Sequence, residues 1–259
     1  MSNYDTTFPP LLAQLLEHEF DYADGSYIMD GVYVLDRNTG AVVSEWDTRQ
    51  IYDPTGTGGT PSGYWMREYP DGVDYLHMNA LWVDANGDYL LSSRTKSAIV
   101  KINGDPQDAQ FGELIWSLVG TDASPFASDF TITGSQTITD QLDFSWQHHV
   151  SITDDGDLRL FDNRTAPAEP SRVVELDLDT GAMTAEIVAE FPMDEKCRAQ
   201  SSAFDLPGGN ILALCSQFSL FKEFRDQTGT SSIWSMSPTC RTGGNGSPIY
   251  RAVPIDLRL

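Results

Sequence analysis

Apolar and polar residues alternate along most of the chain in short runs, and turn residues separate these runs. Three segments align on a strand, a tight corner and a second strand, and each corner contains Asn-Gly, Asp-Gly or Gly-Gly. Alternation on both sides of such a corner is typical of a β-hairpin. The predicted hairpins span residues 77–94, 148–163 and 201–216.

A second pair of strands follows each hairpin, so the repeating unit has four strands. An earlier half-repeat over residues 32–47 has an Asp-x-x-Thr-Gly corner that recurs at residues 177–181. A four-stranded sheet buries both faces only against neighbouring sheets, and this favours a β-propeller with about four blades visible. We predict one all-β propeller domain, or a propeller fragment, over residues 1–259. The second pairs are 98–103 with 113–119, 172–177 with 183–191, and 231–236 with 250–255.

The N-terminal segment has a different pattern. Apolar residues recur there at helical spacing just after two prolines, which predicts a short amphipathic helix over residues 8–20. These residues are Leu11, Leu12, Leu15, Leu16 and Phe20.

Charge and composition narrow the class of function. A net charge of -22 would repel nucleic acid and anionic lipid surfaces, so neither partner is expected. No apolar run is long enough to span a membrane, and the first residues lack the pattern of a signal peptide. The three cysteines show no metal-ligand spacing, and no metal or other cofactor is predicted. One disulfide could form in an oxidising compartment, but the sequence does not choose the pair.

Three of the four histidines lie at the first strand of a predicted repeat, and Arg94 and Arg164 follow second strands. The innermost strands of a propeller line one channel, so His77 and His148, which we align in the same slot, are expected to converge. Imidazoles and guanidiniums together would hold a sulfate or phosphate ester by charge-assisted hydrogen bonds. The alternative is that these are core histidines and ordinary surface arginines.

The runs YLHMNALWVDANGDYLLSSRTKSAIVKIN and WQHHVSITDDGDLRLFDN, with SRVVEL and the later IYRAV, resemble the arylsulfate sulfotransferase family. The resemblance covers roughly residues 75–255. It implies a six-bladed propeller, usually exported to the periplasm or secreted, that moves a sulfuryl group from a phenolic sulfate ester to a phenol without a nucleotide donor. It also implies that His77, His148 and Arg164 contact the sulfate. We predict Arg94 and Asn79, which lie on the first of the predicted hairpins, as substrate-binding residues. A second copy or a longer chain would then supply the remaining blades.

One feature departs from the family pattern. The family's nucleophilic histidine lies on a later blade, and Ser219 takes its place in this alignment, with no histidine after His149. An unassisted serine hydroxyl is a poor substitute for imidazole near neutral pH. His149 could replace the nucleophile only if its strand is bulged, because neighbours on a regular strand face opposite ways. The rival hypothesis is therefore a non-catalytic propeller that binds sulfated or aromatic ligands or serves as an interaction scaffold.

Overall fold

The computed structural model describes residues 11–57, 59–121, 124, 126–134, 142–164, 169–225, 231–238, 249 and 251–253. Within this part of the chain the strands form four sheets. Sheet 1 contains β1 (Leu11–Tyr22), β2 (Gly25–Asp36), β3 (Val42–Asp47) and β4 (Gly72–Asp74). Sheet 2 contains β5 (Met78–Val83), β6 (Tyr89–Ser93), β7 (Ala98–Ile102) and β8 (Leu114–Val119).

Sheets 3 and 4 continue the repeat. Sheet 3 contains β10 (His148–Ile152), β11 (Leu158–Asp162), β12 (Arg172–Asp179) and β13 (Thr184–Pro192), with β9 (Thr131–Gly134) added parallel to β13. Sheet 4 contains β14 (Ser202–Asp205), β15 (Ile211–Cys215), β16 (Leu220–Phe224) and β17 (Ser232–Met236). Short 3-10 turns lie at Thr48–Gln50 and Ser216–Phe218. Of the strand predicted at residues 250–255, residues 251–253 are described and form no strand, and the others lie outside the described residues.

The sheets pack side by side on apolar cores. One cluster joins sheets 1 and 2 around Trp46 and Leu91, a second joins sheets 2 and 3 around Phe144 and Leu160, and a third joins sheets 3 and 4 around Phe191. Strand β5 contacts β1 and β10, and β10 contacts β14. The first strands of sheets 2, 3 and 4 are therefore neighbours, and the all-β chain has the propeller arrangement of four-stranded blades.

The predicted N-terminal helix is wrong. Residues 11–22 form β1, which pairs antiparallel with β2 from Leu11 opposite Asp36 to Tyr22 opposite Gly25. Leu11, Ala13 and Leu15 pack on the core between sheets 1 and 2, and this alternation is that of a strand. The leucines have helical spacing, but pairing with β2 determines the conformation of this segment. The local sequence does not reveal that pairing. Residues 8–10 of the prediction lie outside the described part.

No helix in the described residues is long and apolar enough to cross a membrane.

Candidate active site

The hairpin corners show how the repeats align. In the corner of sheet 2, the backbone NH of Asp84 donates to the carbonyl of Asp88. In the corner of sheet 3, the backbone NH of Thr153 donates in the same way to the carbonyl of Asp157. At the same distance before each corner lie His77 and Trp146, which both have positive φ, 49° and 55°. The alignment of His77 with His148 was therefore wrong, because His148 lies closer to its own corner.

His77 and His148 nevertheless come together with Arg94 where β5 meets β10. The pKa of His148 is lowered to about 4, mainly by burial; the hydrogen bond to Asn163 partly opposes this, and the nearby charge of Arg94 adds to it. The Arg94 guanidinium lies 4.5 Å from the centroid of the Trp146 ring, and its backbone NH donates to the carbonyl of His77 at 3.2 Å. We call His77, Arg94, Trp146 and His148 the inner cluster.

Both ring nitrogens of His148 are engaged by protein atoms. Nδ1 lies 2.8 Å from Oδ1 of Asn163 and 3.1 Å from the carbonyl of Trp146, while Nε2 accepts the backbone NH of Gln200 at 3.0 Å. Because Nε2 is the acceptor, Nδ1 carries the proton in the neutral ring. His148 thus connects sheet 3 to the segment that enters sheet 4.

His149 lies on a bulged strand, which is the condition under which it was predicted to replace the nucleophile. The pairing of β10 with β11 shifts register between His148 and Ser151, and His149 has φ 53°. Its Nδ1, however, accepts the backbone NH of Ala203 at 3.3 Å, and its ring packs 4.3 Å from that of Phe204. Burial, followed by nearby positive charge, lowers its pKa to about 3. The bulge therefore directs His149 onto sheet 4 as a neutral side chain.

His77 is bound differently. Its Nδ1 lies 2.6 Å from Oδ2 of Asp74, and its side chain is 23% exposed. The ring of Tyr64 stands edge-on at 5.7 Å, and Tyr64 belongs to the loop of residues 63–68 that lines a cavity of about 700 Å³. His77 is thus held by a carboxylate while its side chain stays partly exposed.

The sequence model of the arylsulfotransferase (ASST) family matches residues 14–231. The chain belongs to this family. No curated protein sequence matches the chain significantly.

Solved structures with a similar fold include a protein of unknown function from Bacteroides caccae, at 14% identity over 88% of this chain, with a TM-score of 0.45. A virginiamycin B lyase from Staphylococcus aureus is 9% identical over 86% of this chain, with a TM-score of 0.42. This arylsulfotransferase-family chain spans 58% and 59% of the length of those two proteins.

Arg164, which the family alignment assigns to sulfate, is buried among acidic side chains. Its Nε lies 3.2 Å from Oδ2 of Asp162 and its guanidinium lies 3.3 Å from Glu169. Asp162 is fully buried and also bonds to Arg172. Two carboxylates therefore compete with any anion for Arg164.

Ser219 occupies the place of the family's histidine but has the geometry of a turn residue. It has φ 48°, and its backbone NH bonds to the carbonyl of Ser216. Ser97 has the same position before the third strand of sheet 2, with φ 50° and an equivalent bond to Arg94. The shared conformation supports a structural role for Ser219, since the repeat requires this turn.

Asn79 lies at the same distance before its hairpin corner as His148 does before its own. Its Nδ2 donates to the carbonyl of Gln147 at 2.7 Å, which ties β5 to the start of β10. Its Oδ1 is buried with no hydrogen-bond partner among the described residues. The side chain thus lies beside the inner cluster with one acceptor unused.

Sequence reasoning missed two residues of the site. Asp74 lies on β4, which pairs parallel with β2, and its carboxylate contacts the His77 ring. Trp146 was not among the predicted site residues; it is 38% exposed, and its ring faces the Arg94 guanidinium. The available signal in the sequence was that Trp146 lies at the same distance before its hairpin corner as His77 does before its own.

Proposed function

We propose that this chain transfers a sulfuryl group from a phenolic sulfate ester to a phenol acceptor. The observation that carries the proposal is the inner cluster, in which a guanidinium and an imidazole meet beside an exposed indole. On a body with a net charge of -22, a partly buried guanidinium beside an exposed aromatic ring is suited to an anionic aryl ester.

Each member of the cluster has a distinct part in this proposal. Arg94 offers several N–H donors to the sulfate oxygens, where negative charge is held in the transition state. The exposed face of Trp146 offers a stacking surface for an aryl ring. The cavity lined by residues 63–68, among them Tyr64, whose ring contacts that of His77, has room for the second phenol.

His148 and Arg164 remain predicted sulfate contacts from the family alignment. Their polar atoms bond to protein groups, so binding through them requires those bonds to be exchanged for bonds to the ester. Arg94 needs less rearrangement, because its guanidinium contacts the Trp146 ring and makes only a long 3.5 Å bond to the carbonyl of Arg198 within the described residues.

The test is incubation with para-nitrophenyl sulfate and a second phenol, with release of nitrophenol and the sulfated acceptor both measured. We expect transfer that depends on the acceptor.

Arg94→Ala should lower kcat/KM by about 10²-fold or more, because one preorganised charge contact is lost. Arg94→Lys should recover part of it, since lysine supplies the charge but not the fork. Arg225→Ala, at an exposed arginine after β16, is the matched control. Absence of both products with the folded protein rejects the proposal.

A second candidate is binding without turnover. The observation that favours it is the engagement of His148 and His149 by backbone groups, which leaves the later blades without an available imidazole nucleophile. Calorimetry with phenyl sulfate separates the two: binding with no product supports this candidate, and product formation excludes it.

We also propose that the protein works in an oxidising compartment, either periplasmic or extracellular. Cys197 and Cys215 form a disulfide, and such bonds persist mainly outside the reducing cytosol. Measurement of the free thiol content of protein isolated from its own cells tests this. The number of blades in the working molecule is a separate question, and the mass in solution would show whether a second copy completes the ring.

A further inference from the structure

The four histidines differ in which ring nitrogen has an available lone pair. A neutral imidazole has one lone pair for attack, and a hydrogen bond accepted by that nitrogen occupies it. His148 uses Nε2 to accept from Gln200, and His149 uses Nδ1 to accept from Ala203. His18 lies on β1 with Nε2 within 3.4 Å of the Tyr33 hydroxyl.

His77 has the opposite arrangement. Nδ1 faces the Asp74 carboxylate at 2.6 Å, and a carboxylate can only accept, so Nδ1 carries the proton. The lone pair is therefore on Nε2, which has no hydrogen-bond partner among the described residues. Partial exposure leaves this nitrogen open to a ligand.

The surrounding backbone fixes the direction of the His77 ring. The residue has φ 49°, and its carbonyl accepts the NH of Arg94. The next NH, that of Met78, donates to the buried carboxylate of Asp30 at 3.0 Å. Asp74 is itself fixed by the parallel pairing of β4 with β2, opposite Ile28. Both members of the pair are thus held by strands.

We propose that Nε2 of His77 is the nucleophile that takes the sulfuryl group, and that Asp74 is the residue that positions it. This inference rests on the proposed sulfuryl transfer. It places the nucleophile on sheet 2, beside Arg94, and gives neither Ser219 nor His149 that role.

The two half-reactions balance without a further reagent. In the first, the Nε2 lone pair forms a bond to sulfur, and the bond between sulfur and the aryl oxygen breaks with its electron pair on that oxygen. The leaving phenolate takes a proton from solvent, and Nδ1 keeps its own. The sulfated ring is then cationic, and the Asp74 carboxylate stabilises it. In the second, the acceptor oxygen bonds to sulfur, its proton goes to solvent, and the S–N electron pair returns to Nε2.

The decisive experiment maps the covalent adduct on the wild-type protein. The protein is mixed with para-nitrophenyl sulfate in the absence of acceptor, quenched at alkaline pH and digested. We expect the mass of one SO₃ group on the peptide that contains His77, lost when a phenol acceptor is added before the quench. An adduct mapped to Ser219, His149, Tyr64 or any residue other than His77 overturns the inference.

Variants give a second readout. His77→Gln should abolish the adduct and lower the nitrophenol burst by about 10³-fold or more, which is the range for loss of a nucleophile. His18→Gln is the matched histidine control and should keep full activity. Asp74→Asn should lower kcat by about 10²- to 10⁴-fold with little change in KM, because the variant lacks the negative charge that stabilises the cationic sulfated ring. The exposed carboxylate of Asp71 supplies the control Asp71→Asn.

The outcomes distinguish this inference from the proposed function. If wild-type protein releases no nitrophenol and forms no sulfated phenol, sulfuryl transfer itself fails. If it does both while His77→Gln, shown to be folded by its thermal melt, is as active as wild type, transfer stands and His77 is not the nucleophile. An equal effect of Asp74→Asn and Asp71→Asn removes the positioning role.

Discussion

Oδ1 of Asn163 lies 2.8 Å from Nδ1 of His148, and the same amide donates through Nδ2 to the carbonyls of Cys197 and Gln200. One buried side chain therefore orients the imidazole and also holds the segment whose NH groups bind the two histidines of β10. The site on sheet 3 and the entry to sheet 4 depend on this single amide.

Asn163→Ala should lower the free energy of unfolding by roughly 2 to 4 kcal/mol, because it leaves several buried polar groups without a partner. Chemical denaturation measures the change. Asn38→Ala, in an exposed turn of sheet 1, should change it by less than about 0.5 kcal/mol. Equal effects of the two substitutions would show that the Asn163 contacts contribute nothing.

The burial of His148 predicts a pH dependence of stability. Its pKa is about 4 in the folded protein, against an ordinary value of 6.5, so between these values the unfolded chain binds more protons. Stability should therefore rise with pH over this window, by up to roughly 3 kcal/mol from this one group. Thermal melts of wild type and His148→Asn across that window measure the slope.

The difference between the two proteins isolates the contribution of His148, because the buried acids are common to both. Burial raises the pKa of Asp30 and that of Asp162, and these groups act in the opposite direction, losing stability as pH rises. Asparagine retains a donor near the position of Nδ1 but does not titrate. The variant should show a flatter rise, and a parallel pair of curves contradicts the assignment.

Local signals in the sequence predicted the blades but not the contacts between them. Corners such as Asn86-Gly87 require positive φ, and Gly87 has φ 88°, so the hairpin around it was readable from residue type alone. Strand β1 was missed because its partner β2, rather than its own spacing, decides its conformation. Fold class therefore follows from repeated turns, while strand identity at the N-terminus needs the tertiary structure.

The candidate site was predicted in part for the same reason. The approach of His77 and His148 depends on β5 lying beside β10, which the propeller hypothesis anticipated. His148 lies closer to its hairpin corner than His77 does, and both strands contain a bulge that residue type alone does not predict. The roles of individual nitrogens depend on backbone donors at Gln200 and Ala203, which the sequence cannot place.

Arg159 offers a comparison of two acids on one guanidinium. It bonds to Glu175 across the sheet at 2.7 to 2.8 Å, and to Asp205 of sheet 4 at 2.7 to 2.9 Å. The Glu175 side chain is 2% exposed and that of Asp205 is 44% exposed. Glu175→Gln should cost about 3 kcal/mol or more, because a buried charge loses its buried partner. Asp205→Asn should cost about 1 kcal/mol or less, since solvent screens that pair. Denaturation curves test the order, and a larger cost at Asp205 would reverse the explanation.

The disulfide between Cys197 and Cys215 should stabilise the fold and the site together. It closes a loop with a sequence separation of 18, which corresponds to about 3 kcal/mol of loop-closure entropy removed from the unfolded chain. Cys197 also offers its carbonyl to Asn163, so the bond fixes the segment that leads to Gln200. A Cys197→Ser, Cys215→Ser double variant should unfold at lower denaturant concentration, and a reductant should bring wild type to the same midpoint.

Cys240→Ser, which removes the remaining cysteine, serves as the control and should leave the response to reductant unchanged. If reduction shifts wild type but not the Cys240→Ser protein, the stabilising bond involves Cys240 instead, and the link from this disulfide to His148 is lost.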